Sequence, residues 1–177
     1  MKYLVFSACL VALASCAPHK KSAKTFPMPF VAEKIDTVAG SKDQLFIKAN
    51  EWAARTYNSA KDVIQMHDKD AGEIVVKGVF KIPGEGLSTL DYIVSYSGVI
   101  NTKDNRYKIT VQDMILLRAV SPHGSSPEYN ASLGSPKSPS AFMSIGTWDK
   151  IKDKSLTKAN NLCASLATYM HKPKMDW

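Results

Sequence analysis

Ser41 to Phe80 reads SKDQLFIKANEWAARTYNSAKDVIQMHDKDAGEIVVKGVF, and the switch within it from helical to strand patterning decides the fold class. Ser41 followed three residues later by Gln44 is a capping-box pattern, in which two side chains satisfy free amides at a helix start. Leu45, Ala49, Trp52, Ala53 and Thr56 then recur at helical spacing, with Phe46 and Tyr57 widening the stripe. Lys42, Lys48, Asn50, Glu51 and Arg55 take the other faces. The stripe is read as core packing rather than a ligand groove, because burying one face is what holds a surface helix in place. Val63–His67 is then expected as a strand, Asp68-Lys69-Asp70-Ala71-Gly72 as a turn and Glu73–Ile82 as a longer strand. In that last strand Ile74, Val76, Phe80 and Ile82 share one parity, with Gly78 among them, and Val75, Lys77, Val79 and Lys81 share the other.

Working outward, Phe30–Val38 is a first strand broken by Ala39-Gly40. Downstream, Pro83-Gly84-Glu85-Gly86 is a loop, and Tyr92–Ile100 places Tyr92, Val94, Tyr96 and Ile100 on one face. Asn101–Asn105 is a hairpin connection into Arg106–Leu117, where Tyr107, Ile109 and Val111 oppose Arg106, Lys108, Thr110 and Gln112. Ser121–Ser140 is rich in Ser, Pro and Gly and is read as a mobile loop, within a wider 119–148 segment. Asp149–Lys172 closes the domain as a helix with Leu156, Ala159, Cys163, Leu166, Ala167 and Met170 as its stripe, and Pro173 stops it. The expected order is β-α-β-β-β-β-α. That is an α+β class, with an antiparallel sheet and both helices on one face over Tyr92, Tyr96 and Tyr107.

The chain has 177 residues and a formal charge of +7, enough length for one core-bearing domain plus tails. A basic balance is compatible with an anionic partner and equally with solubility alone. Lys2 precedes a largely apolar run, Leu4–Ala14, too short to span a bilayer, so residues 1–15 are read as a signal peptide. The run ends Leu13-Ala14-Ser15-Cys16, which resembles a bacterial lipobox. The resemblance implies that Cys16 is diacylglyceryl-modified and begins the mature chain. The alternative is an ordinary secretory cut near Ala17. With Cys9 lost and Cys16 acylated, Cys163 stands alone, as a buried residue or, less simply, a nucleophile or crosslink. Residues 16–27 then form the lipidated cysteine and a basic tether whose Lys20, Lys21 and Lys24 lie near headgroups. Residues 28–172 form the single domain and 173–177 a tail. In some bacteria surface-directed lipoproteins carry an acidic signal after the cysteine, so a basic tether favours the periplasmic face of the outer membrane.

The SKDQL helix start, the Glu51-Trp52 pair, SAKDVIQ, DKDAGEI and DNRYKITV together resemble a domain of unknown function with a TBP-like fold, found in bacterial envelope proteins that often carry lipoprotein signals. The resemblance covers roughly residues 31–118. It implies the same β-α-β-β-β-β-α order and no catalytic residues. The fold name invites a nucleic-acid reading. An acylated exported chain with a single fold unit argues against it, and fold does not imply function.

Chemical motifs are sparse. Asp68–Glu73 starts like a calcium loop but has Gly72 where a third side-chain ligand belongs, Glu73 where glycine belongs and Val79 at the bidentate position. His19, His67, His123 and His171 lack metal-ligand spacing, Gly84-x-Gly86 lacks the context of a phosphate loop, and no Gly-x-Ser-x-Gly occurs. No metal, cofactor or enzymatic activity is expected. The feature left for function is the sheet face away from the helices, expected to carry His67, Lys77, Lys81, Arg106 and Lys108 as an open basic face for an envelope protein or an anionic ligand. A merely solvated face is the simpler alternative. A small-ligand or lipid-binding protein is the other functional reading, and it requires a cavity between helices and sheet.

Overall fold

The computed structural model describes residues 25–57, 63–85, 90–121 and 126–173. The signal, Cys16, the tether up to Lys24 and residues 174–177 lie outside the described residues.

Helix α1 (Lys42–Thr56) begins at the anticipated capping box: Gln44 N donates to Ser41 Oγ at 3.3 Å and Ser41 N to Gln44 Oε1 at 3.0 Å. A distant hairpin adds to this cap. Asp104 Oδ1 accepts from Lys42 N at 2.7 Å, Asn105 Oδ1 from Gly40 N at 3.2 Å, and Asn105 N donates to Gly40 O at 2.8 Å. Asn105 sits at φ +60, a left-handed position that Asn tolerates better than most residues.

The strands are β1 (Ala32–Thr37), β2 (Ile64–Asp68), β3 (Glu73–Pro83), β4 (Asp91–Lys103), β5 (Arg106–Val120) and β6 (Glu128–Ser132). They form one antiparallel sheet ordered β1-β5-β4-β3-β2, with β6 paired to the later part of β5. Helix α2 (Ile145–Met170) starts at Ser144, whose Oγ accepts from Thr147 N at 3.1 Å. Both helices cover the same face. Ile74, Val76, Phe80, Ile82, Tyr92, Val94, Tyr96, Ile100, Tyr107, Ile109 and Val111 are buried against Leu45, Trp52, Trp148 and Leu166. This is the α+β architecture that the parity of the strands dictates.

Three features differ from the expectation. The β4–β5 connection is tighter, with β4 running to Lys103 and only Asp104-Asn105 at the turn. Parity in β5 flips at Asp113 (φ +53) and flips back near Leu117, so Met114 and Leu116, then Ala119, are buried after Val111. These are β-bulges, which add a residue to one strand and re-aim the side chains beyond it. The 119–148 segment is not a free loop: among its described residues are β6, the buried Leu133 and Met143, and the first residues of α2. Its Ser135 carbonyl accepts from Trp148 Nε1 at 3.3 Å and from Lys152 Nζ at 2.6 Å. The Lys152 ammonium also lies 5.2 Å from the ring centres of both Phe26 and Trp148, so this buried cation is held by a carbonyl and two aromatic faces.

Candidate functional site

The uncovered sheet face is built from the odd residues of β3 and β4, the even residues of β5 before Asp113, and Glu33, Ile35 and Thr37 of β1. Lys77, Lys81, Arg106 and Lys108 all lie on it. His67 does not. It pairs with Ile74, and its ring packs on Phe46 of α1 with centroids 4.7 Å apart. A register shift between Ile64 and Met66 puts an extra residue into β2 and turns His67 to the helix-covered side.

The four cations do not concentrate charge. Lys81 Nζ lies 2.7 Å from Asp91 Oδ2 and Lys108 Nζ 3.6 Å from Glu33 Oε2, while Arg106 and Lys81 stand roughly 30 Å apart along the strands. Glu73, held by Asn101 Nδ2 at 2.6 Å, adds another carboxylate. The face is therefore of mixed charge, with Lys103, Arg106 and Lys108 gathered at its β4–β5 turn end and the remaining lysines dispersed along β3. An aliphatic row crosses three of its strands and stops at Thr110 of β5. Met66, Val75 and Val99 are cross-strand neighbours on β2, β3 and β4, and Val79, 61% exposed, lies farther along β3 beyond Lys77. Beyond Val76, β3 pairs among the described residues only with β4, so Lys77–Pro83 is an edge strand with Lys77 and Lys81 flanking Val79. Lysines so placed discourage uncontrolled edge pairing. Sequence parity locates this aliphatic row, but charge draws attention to the lysines instead.

Other clusters are structural. Asp36 Oδ2 lies 3.1 Å from His171 Nε2 and accepts from Tyr107 Oη at 3.3 Å, tying the end of α2 to β1. The His171 hydrogen bond holds the Asp36 carboxyl below its ordinary 3.8. A depressed carboxyl pKa contributes stability that is full above the unfolded value and is lost as pH falls through the folded one. Asp36→Asn is thus expected to cost up to about 1 kcal/mol at about pH 6 and almost nothing at about pH 2, measured by thermal unfolding. An unchanged cost at acid pH would refute the assignment. Glu85 takes two lysines, Lys150 at 2.8 Å and Lys154 at 2.7 Å, which hold its carboxyl at about 2. Cys163 is buried with its Sγ 3.9 Å from Ala32 O, and burial pushes its thiol up to about 11, which removes thiolate character. No group of His, Cys, Asp and Glu among the described residues could hold a metal ion. No helix among them is long and apolar enough to cross a membrane. A recess of about 60 Å³ lies between Ile82, Pro83, Tyr92 and Ile151, and an open depression lined by Tyr57, Val63, Gly78 and Val79 faces solvent.

Residues 32–115 match the family described as a domain of unknown function (DUF4468) with TBP-like fold. Among solved structures, a TBP-like protein from Parabacteroides distasonis aligns with a TM-score of 0.66 at 17% identity, over 81% of this chain and 94% of its own. A DUF4468 family protein from Bacteroides ovatus aligns with a TM-score of 0.57 at 15% identity, over 83% and 89%. At such identities the likeness is one of fold. No curated protein matches the chain.

Proposed function

Residues 32–115 form a domain of unknown function of the DUF4468 family with a TBP-like fold, and on that premise we propose that the protein is a non-enzymatic, lipid-anchored binding module of the cell envelope. It stands on the periplasmic face of the outer membrane, held through Cys16, and engages an envelope protein through its uncovered sheet face. The observation that carries this reading is the aliphatic row of Met66, Val75 and Val99, with the exposed Val79 beyond Lys77 on β3, on a face that neither helix covers. Exposed aliphatic surface rimmed by polar groups suits a protein partner. Charges of both signs interleaved around the row suit a protein better than a polyanion, which needs a run of cations. A small-ligand or lipid carrier is the weaker alternative: the recess between sheet and α2 holds about 60 Å³, against about 300 Å³ or more for a ligand pocket, and the larger depression of about 580 Å³ beside Tyr57 and Val63 lies open to solvent rather than enclosing a ligand.

A photo-crosslinking residue at Val79 or Val99 in the producing cell tests the face, with Ile47 of α1 as the control position. A discrete adduct from the sheet positions and none from Ile47 is the expected result. No adduct, or the same adduct from all three, would sink the binding reading. Anchoring is read separately: intact mass should show the diacylglyceryl group on Cys16, and Cys16→Ala should move the protein from the membrane to the soluble fraction.

A further inference from the structure

Apart from Ile35 and Val79 on the sheet face, the most exposed apolar side chains are Phe142 at 101%, Met28 at 73% and Ile145 at 54%; Phe142 and Ile145 flank the start of α2, and Met28 lies two residues from Phe26, which meets the same helix at Lys152. Phe142 is not on a loose tip. Its amide donates to Ser140 Oγ at 3.2 Å, Met143 N donates to Ser140 O at 3.1 Å, and Ser138 Oγ donates to Met143 O at 2.9 Å. Met143 plugs into the core on the inner side of the same turn. The turn is therefore anchored while the adjoining phenyl is held entirely in solvent, and Ile145 continues the apolar surface onto the first turn of α2. The N-terminal segment docks on the same helix, where the Phe26 ring meets Lys152, about 10 Å along the axis from Ile145. Residues 17–24 are all that separates Cys16 from Thr25, a reach of at most roughly 32 Å. Whatever holds Cys16 is thus leashed to the end of the molecule that presents Phe142 and Ile145.

We propose that Phe142 and Ile145, with Met28, form a membrane-docking patch that inserts into the headgroup–acyl boundary of the bilayer carrying the lipid anchor. This rests on the anchored reading above and adds to it an orientation on the membrane. Aromatic and aliphatic side chains settle at that boundary, and Lys20, Lys21 and Lys24 of the tether suit anionic headgroups. A patch this small binds weakly alone. Tethered, it gains from the high local concentration of the surface.

The test uses the full acylated chain reconstituted into vesicles of phosphatidylethanolamine and phosphatidylglycerol, with Phe142→Cys carrying an environment-sensitive fluorophore and Ile47→Cys as the control. Cys163 is buried and does not compete for the label. Nitroxide lipids should quench the label at position 142 several-fold more than at 47. Phe142→Asp with Ile145→Asp should speed transfer between vesicles on the order of tenfold, the scale expected from withdrawing a buried apolar side chain. A diacylglyceryl mass on Cys16 with an unquenched label at 142 overturns the docking and leaves the anchor intact. Absence of that mass overturns the anchor, and the docking with it. A label at 142 already buried before vesicles are added marks a protein contact and also overturns the docking.

Discussion

Trp148→Ala is expected to destabilise the domain by about 3–5 kcal/mol, the usual cost of emptying a large aromatic site in a core. Trp148 is fully buried, and its indole N–H and the Lys152 ammonium converge on one carbonyl, that of Ser135. Removing the ring leaves a cavity, deletes one donor and takes an aromatic face from Lys152, whose ammonium is already disfavoured by burial. The damage should therefore reach the strap of β6, Leu133 and Met143 as well as the helix. Urea unfolding measures the cost, and hydrogen exchange of residues 128–143 measures the release. Trp148→Phe should retain most of the stability. Equal stability of the alanine variant, or strap amides as protected as before, would refute this account.

Gly78→Ala is expected to cost about 1–3 kcal/mol, although it adds a single methyl in a strand that would otherwise favour it. Gly78 lies opposite Tyr96, and a Cβ there would stand 2.5 Å from the tyrosine oxygen and 2.6 Å from Cζ. The ring cannot easily withdraw. It stacks on Phe80 with centroids 4.2 Å apart, and its hydroxyl shares a 2.9 Å hydrogen bond with that of Tyr57. Burial pushes both phenols up, so the pair stays neutral and hydrogen-bonded at ordinary pH. The clash predicts strong coupling: with Tyr96→Ala already present, Gly78→Ala should cost far less than in the native background. Additive costs would show that the glycine is needed for some other reason.

These two sites divide what can be read from the sequence from what cannot. Parity puts Gly78 on the core face and Tyr96 with it, but only the register makes them opposite. The capping box at Ser41 is legible because its parts are three residues apart. The cap supplied by Asp104 and Asn105 is not, because those residues come from another hairpin. β6 escapes notice because EYNAS has little apolar alternation and is held by pairing to β5 and by its buried neighbour Leu133. Parity assigns His67 to the wrong face because a bulge in β2 reverses it without leaving a mark in the residue types. The lysines read as a basic patch because Asp91 and Glu33, their partners, arrive from other strands.

The pairing of β1 with β5 also dictates an order of events. β1 has no partner but β5 among the described strands, with Ala32 set against Val111 and Thr37 against Arg106. The first strand to be synthesised must wait until the β4–β5 hairpin exists, and the same hairpin turn completes the cap of α1. Closing so long a span before any contact rewards it is slow. The β3–β4–β5 meander can form from local turns alone, so it is expected to be the nucleus of folding, with the N-terminal strand added late. Substitutions in the meander should then slow folding, and substitutions in β1 should chiefly speed unfolding.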